Sequence, residues 1–305
     1  MTLTTLAMLL LAADGGTLEW APVEITATPQ AFMPDGGAKL TEKITFHGAL
    51  ELTSTAKNFG GLSGLRFWNG KFYAVSDKRG GLFRFNVVED AKGTLTGIAP
   101  GAEGVIVDIG DAEAIEFANG ALWVSNEDST TISSFPLVGD QISAAATRNP
   151  IPTEGWALEH NKGFEAVASS KECALMFSEL SGMGFIGKPD AMTGAAPNLS
   201  ALGWPPEFSP TDVTWAVPGK LAYAVLRKFD GKAYGGIARL TMPGCGPKNF
   251  KLDVLTTWGE PLLVDNYEAL AVVHGAKEDT LYVLSDDNFK TKGPQHTFLL
   301  KFTVK

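Results

Sequence analysis

Four carboxylates and one serine recur at a single place in a repeated pattern. Ser63, Glu113, Glu165, Asp212 and Glu268 each open a short apolar segment, at intervals of 50, 52, 47 and 56 residues. The segments returning from these openings end on further charges: Asp77, Glu127 with Asp128, Glu179, Arg227 with Lys228, and Asp286 with Asp287. Carboxylates gathered at one place repel one another, so some must stay protonated, be screened by water, or be neutralised by a cation. Oxygen ligands without a His or Cys cluster favour a hard ion, calcium rather than zinc or copper. Glu113, Glu165, Asp212 and Glu268 are therefore the candidate metal ligands and catalytic carboxylates. The structural alternative is that each caps neighbouring backbone amides at its strand start.

The basic pairs at the same rim are Arg227 with Lys228, and Lys78 with Arg79 behind Asp77. Cations beside such a site suit an anionic substrate, above all a phosphate, which a guanidinium can grip through two parallel hydrogen bonds. Arg227 is the candidate to steady developing charge, and Lys78, Arg79 and Lys228 are candidates for substrate binding. Balancing neighbouring acids is the plainer role open to all four. His47, His160, His274 and His296 are the whole histidine complement and form no spaced metal motif. His160 and His296 could reach the acidic face, and His296 joins the substrate-binding candidates. A Gly-x-Ser-x-Gly elbow, a phosphate-binding glycine loop and a His-Glu-x-x-His helix are all absent, so serine-hydrolase, nucleotide-binding and zincin readings lack local support.

These residues need an element that brings repeat starts together, and the repeat supplies it. The first copy runs Ser63-Gly64-Leu65-Arg66-Phe67, turns at Asn69-Gly70, and returns as Phe72 to Asp77. The second runs Glu113 to Phe117, turns at Asn119-Gly120, and returns as Leu122 to Glu127. Three more follow from Glu165, Asp212 and Glu268, with turns near Ser170-Lys171, at Pro218-Gly219 and through Gly275 to Asp279. Asn-Gly between β-rich runs is the strongest short hairpin signal, and a period near fifty residues is that of a four-stranded propeller blade. The expected fold is all-β, a single β-propeller of five repeat blades, with a sixth left open because residues 14–42 could hold further strands. Thr297 to Val304 leaves the last blade one strand short, and the early strand from Lys43 to Leu52 is expected to complete it, closing the ring without an exposed edge.

With 45% hydrophobic and 19% charged residues in 305, the chain can bury a large core. A net charge of −9 argues against a nucleic-acid partner, which needs a clustered positive surface. Residues 1–13 hold the apolar run Leu6 to Ala13, too short to span a bilayer and similar to the core of a secretory signal, with an ordinary strand or helix as the alternative. The expected organisation is 1–13 signal segment, 14–42 N-terminal extension and 43–305 propeller, in a monomer that is periplasmic or secreted and makes no integral membrane contact. Cys173 and Cys245 are the only cysteines; one bridge between them and two free, buried thiols are both open.

Several motifs together resemble the phytase-like family described as having esterase-like activity of phytase, a group of exported bacterial propellers. They are Phe59-Gly60-Gly61-Leu62-Ser63-Gly64-Leu65, Phe72 to Arg79, Asp111 to Ile115, Gly163 to Val167, Pro210 to Val213, and Asn266 to Leu270. The resemblance implies a propeller, export and, more loosely, a phosphoester hydrolase. The acidic and lysine-rich motifs of the calcium-dependent propeller phytases have no close copy here. If that chemistry applied, Glu113, Glu165, Asp212 and Glu268 would hold Ca²⁺, which would bind the phosphate and activate water. A metal-dependent lactonase and a non-catalytic ligand- or protein-binding propeller are the alternatives.

Overall fold

The computed structural model describes residues 16–34, 40–126, 131–150, 164–178, 184–188, 203–205, 207–246, 250–289 and 295–305. Five antiparallel sheets form the blades of a propeller. Their innermost strands are Leu62–Trp68, Ala112–Ala118, Phe164–Ser169, Ser209–Val217 and Tyr267–Val273, numbered here as blades 1 to 5. Each is followed by its return strand: Lys71–Ser76, Ala121–Asn126, Ala174–Ser178, Leu221–Phe229 and Asp279–Ser285. The turns Asn69-Gly70 and Asn119-Gly120 have positive φ at both residues, as a two-residue hairpin matching the twist of its strands demands.

Five apolar clusters fill the five junctions between neighbouring blades. Leu62, Leu65, Phe83 and Phe85 meet Leu284, Leu299 and Leu50 where blades 1 and 5 join. Tyr223, Ile237 and Trp258 of blade 4 meet Tyr267, Leu281 and Phe302 of blade 5. The remaining three clusters join blades 3 and 4, 1 and 2, and 2 and 3. The ring thus has five separate wedges of core rather than one.

The last blade closes as the sequence implies. Ile44–Ser54 pairs antiparallel with Phe298–Val304, Leu50 opposite Leu299 and Ile44 opposite Val304. The N-terminal extension adds more edge. Ile25–Gln30 pairs outside Ile44–Ser54 on blade 5, Ala21–Pro22 pairs with the outer strand Glu103–Ile106 of blade 1, and Thr17 bridges Ser143 on blade 2. Residues 17 to 30 therefore run around the rim as a belt across three blades, and no sixth blade forms among the described residues. No helix of the described residues is long and apolar enough to cross a membrane. The expected signal segment, 1–13, lies outside the described residues, as do Glu127, Asp128, His160 and Glu179.

Cys173, in the hairpin turn of blade 3, is bonded to Cys245, which follows the third strand of blade 4, with their Cα atoms 5.4 Å apart. This settles the choice left open by the sequence. The bridge joins residues 72 apart, and closing a loop of that length restricts the unfolded chain by roughly 4 kcal/mol in the chain-entropy account. A Cys173→Ser, Cys245→Ser variant is expected to lose about 2–4 kcal/mol in urea denaturation. An unchanged midpoint would show that packing between blades 3 and 4 holds without the bridge.

Candidate functional site

The five inner strands share one irregularity, and it decides where the acids go. Pairing with the return strand slips near the start of each: between Leu62 and Gly64, Ala112 and Ile115, Phe164 and Ala166, Pro210 and Asp212, and Tyr267 and Ala269. A bulge inserts one extra residue and re-aims the side chains that follow it. In blades 1, 3, 4 and 5 the extra residue is Ser63, Glu165, Thr211 and Glu268; in blade 2 the slip spans Glu113 and Ala114. Side-chain bonding agrees. Ser63 Oγ donates to the carbonyl of Ala112 at 2.5 Å and Thr211 Oγ1 to that of Tyr267 at 2.9 Å, each reaching the residue before the bulge of another blade.

Asp212 therefore corrects the sequence expectation. Its counterparts are Gly64, Ala166 and Ala269, not the glutamates, because blade 4 places Thr211 at the bulge. It is fully buried and all its acceptor capacity is engaged from within the protein. Oδ2 accepts from Arg66 Nη1 at 2.6 Å and the Leu270 amide at 2.8 Å, and Oδ1 from Arg66 Nη2 at 2.9 Å and the Val213 amide at 2.7 Å. The compensating cation at this level is a guanidinium, not a metal.

Arg66 gathers the whole ring. Besides Asp212, Nη1 donates to the carbonyls of Leu65 and Leu270 at 2.7 and 2.9 Å, and Nη2 to those of Val167 and Val213 at 2.7 and 2.8 Å. Those four carbonyls occupy the same register position in blades 1, 5, 3 and 4. Blade 2 contributes the Glu116 carboxylate, 3.4 Å from Arg66 Nε. Burial pushes Glu116 up to about 7 and Asp212 up to about 6, against the opposing pull of Arg66 on both. The axis is thus filled at mid-height by an Arg66–Asp212–Glu116 cluster, and any site lies above or below it.

Above it, at the level of the bulges, charge is crowded on the side of blades 1 and 5. Asp286 is buried, and burial together with the nearby negative charges of Glu268, Asp77 and Asp287 pushes its carboxyl up to about 9. Asp77 Oδ1 accepts the Lys78 amide at 2.6 Å, and Lys78 Nζ lies 3.2 Å from Asp77 Oδ2. Asp287 Oδ1 accepts the amides of Gly61 and Phe289 at 2.8 and 2.9 Å. Gly61 has φ of +55°, and a side chain there would collide with Asp77 Oδ1 and the Phe289 ring, so glycine permits this close approach.

Beside this crowd opens a cleft of about 940 Å³ over blades 4 and 5. Arg227, Lys228, Glu268, Asp265, Asn266 and the largely exposed Phe229 are among its lining residues. The Arg227 guanidinium donates to Asn266 Oδ1 and Glu268 Oε1, while Asn266 Nδ2 donates to the same Glu268 oxygen at 2.7 Å. Lys228 Nζ is bound to Glu207 at 2.7 Å and Asp230 at 2.9 Å, which hold its pKa above the ordinary lysine value. Asp265 accepts the amides of Asn266 and His296 at 2.7 and 3.0 Å, yet burial pushes it up to about 6.

The sequence candidates therefore divide. Arg227, Lys228 and Glu268 meet in one cleft. Glu113 and Glu165 are buried at the bulges of blades 2 and 3. Lys78 is committed to Asp77. Arg79 corrects its expected role: its guanidinium donates to the Lys57 carbonyl and lies 3.9 Å above the Phe289 ring, so it braces a loop. His296 binds Glu51 at 2.9 Å through Nδ1 and stacks on Phe298; it reaches the cleft only through its amide on Asp265. Among the described residues, no three His, Cys, Asp or Glu side chains converge into a metal-ligand set. Arg66, Glu116 and Asp265 were not singled out by the sequence. Arg66 could have been found as the one arginine at a register position where the other blades carry Glu116, Ala168, Thr214 and Ala271.

No curated protein matches the chain in sequence. The PQQ-bound aldose sugar dehydrogenase of Streptomyces coelicolor superposes with a TM-score of 0.40 at 12% identity, covering 88% of this chain and 100% of that one. A luciferin-regenerating enzyme gives 0.38 at 14%, covering 94% and 92%. The glutaminyl cyclase of Myxococcus xanthus gives 0.35 at 14%, covering 78% and 97%. The family model that matches is more specific: through residues 57–187, from the approach to blade 1 to the end of the third strand of blade 3, the chain carries the pattern of the phytase-like family, described as esterase-like activity of phytase.

Proposed function

We propose that this protein is a hydrolase of small anionic esters, phosphate esters foremost, acting as a monomer in the cleft over blades 4 and 5. The observation that carries this reading is the Arg227 guanidinium, clasped by Asn266 and Glu268 in a cleft that also holds a carboxyl near neutrality, Asp265. Arg227 and Lys228 would bind the anionic oxygens of the ester. Asp265, able to exchange a proton near pH 6, would take one from the attacking water as the ester bond breaks and return it to the leaving oxygen. Arg227 would stabilise charge gathering on the substrate oxygens. The family description supports ester hydrolysis, although the cleft residues lie outside the matched stretch.

Calcium remains part of the proposal as a ligand, not as a reaction step. The crowded oxygens of Asp77, Glu268, Asp286 and Asp287 have the chemistry a hard cation takes, but the described side chains do not form a ready ligand set. Glu113 and Glu165 could join only by rearrangement. A melting curve with calcium and with chelator reads this directly, since a ligand that binds the native state raises its stability. The Cys173–Cys245 bridge supports an oxidising compartment, periplasmic or extracellular.

Arg227→Ala is expected to lower kcat/KM on an aryl phosphate by 10²–10³-fold, the usual cost of deleting a charge-stabilising donor. Asp265→Asn should lower kcat and abolish the acid limb of the pH profile near 6. The panel should include aryl acetates and lactones. Turnover of none of them by the parent protein, with or without calcium, would leave a binding propeller as the correct description.

A further inference from the structure

The opposite face of the ring carries a second, smaller cavity of about 540 Å³ between blades 4 and 5, at the hairpin turns of their inner strands. Nothing in the chemistry of the upper cleft uses it. Its floor is an oriented histidine. Asp279 is buried, and its Oδ1 lies 2.5 Å from His274 Nδ1 and accepts the Gly275 amide at 3.3 Å, while Oδ2 accepts the Tyr223 hydroxyl at 2.7 Å. A carboxylate already receiving two donors acts as acceptor towards the ring as well, so Nδ1 carries the proton. The lone pair of Nε2 is then the free face of a half-exposed imidazole that lines the cavity, with no hydrogen-bond partner among the described residues.

The charges around it point to the rest of the ligand. Asp253 is shared by Lys43 and Arg239, at 2.7 and 2.9 Å, so that acid is answered. Lys251, Lys277 and Lys305 also line the cavity, are exposed, and form no ion pair among the described residues; Glu278, exposed in the same lining, is the one acid there without a cationic or hydrogen-bonding partner among them. Three exposed ammonium groups against one exposed carboxylate leave this lining with an excess of positive charge. An acceptor nitrogen held in place by a buried acid, beside a lining with more free cations than free acids, matches a molecule with a hydroxyl for the first and an anionic group for the second. The volume is within the range of small-molecule sites.

We propose that this cavity binds a small hydroxylated anion of the sugar-acid or sugar-phosphate class, with His274 Nε2 accepting from a hydroxyl and Lys251 and Lys277 holding the anionic group. Asp279 and Tyr223 are positioning residues that fix the imidazole. The site is independent of the ester-hydrolase reading, since it lies at the hairpin turns of blades 4 and 5 and shares no lining residue with the upper cleft.

The test reads His274 itself. In ¹⁵N-histidine-labelled protein, assigned with His274→Gln, gluconate is expected to move the His274 Nε2 resonance and saturate in the millimolar range. Acetate, which lacks the hydroxyls, and methyl glucoside, which lacks the charge, should each bind at least tenfold more weakly. Lys251→Ala with Lys277→Ala should weaken gluconate at least tenfold, and both positions are exposed, so the fold should be retained. Arg227→Ala should leave the response intact. No movement at His274, equal affinity for acetate or methyl glucoside, or indifference to loss of both lysines would each overturn the proposal.

Discussion

An Arg66→Met variant is expected to lose about 3–5 kcal/mol of stability, the usual cost of leaving a buried charge without its partner. The loss should exceed that of an ordinary core substitution, because this one side chain satisfies carbonyls from blades 1, 3, 4 and 5 and carboxylates from blades 2 and 4. Arg66→Lys should recover less than half. An ammonium keeps the charge but cannot present two parallel donors to Asp212 while also reaching four carbonyls. Arg66→Met combined with Asp212→Leu should recover most of the loss, since it removes the stranded anion, and Glu116 can take a proton near pH 7. Urea denaturation at pH 7 reads all three. A loss below about 1 kcal/mol in Arg66→Met would mean that the wedges of core, not the axial cluster, hold the blades in register.

The second large effect is alkaline. Asp286 is pushed up to about 9 in the folded protein, whereas an aspartate in an unfolded chain titrates near 4. The native state therefore holds a proton that the unfolded state has released. The stability from this group is fully present below about pH 4 and is lost as pH rises through about 9. Glu116 and Asp265 act with the same sign but are spent by about 7 and about 6, so the window from pH 7 to 9 belongs to Asp286. One proton corresponds to about 1.4 kcal/mol per pH unit, giving a decline of roughly 2–3 kcal/mol across that window. Asp286→Asn imitates the protonated carboxyl and keeps the oxygen that accepts the Asn288 amide, so it should flatten the decline and exceed the parent in stability at pH 8.5. Calcium, if it binds this crowd, should raise the parent's Tm at pH 8 and leave that of Asp286→Asn nearly unchanged. A parent already flat from pH 7 to 9 would show that Asp286 is ionised in the fold.

Much of the ring is legible in the amino-acid sequence. Asn69-Gly70 and Asn119-Gly120 announce their hairpins because few residue pairs tolerate positive φ twice in succession, and the period then counts the blades. Closure by Ile44–Ser54 was legible too, since Phe298–Val304 ends a blade that otherwise has an open edge. What the letters hide is a one-residue slip. Glu165-Ala166 and Asp212-Val213 look alike in a repeat, yet the bulge falls at Glu165 in one blade and at Thr211 in the other, which turns Asp212 towards Arg66. Arg66 itself, between Leu65 and Phe67, reads as the polar member of an alternating strand. Only the convergence of five strands on one axis makes that polar face an interior. The upper cleft was half legible: Arg227 and Glu268 end and begin neighbouring strands, but Asp265 lies in a loop without a repeat counterpart.

Ring closure has a consequence for how the chain is made. Ile44–Ser54 meets its inner neighbour, Phe298–Val304, only after some 240 further residues have emerged. At 5–20 residues per second that is on the order of 10–50 s, during which an 11-residue strand with apolar side chains destined for both neighbouring junctions waits with an open edge. Such an edge is a template for pairing with other chains. Expression at reduced temperature, or with a chaperone that shields nascent strands, should therefore raise the soluble yield more than any change made within the finished blades.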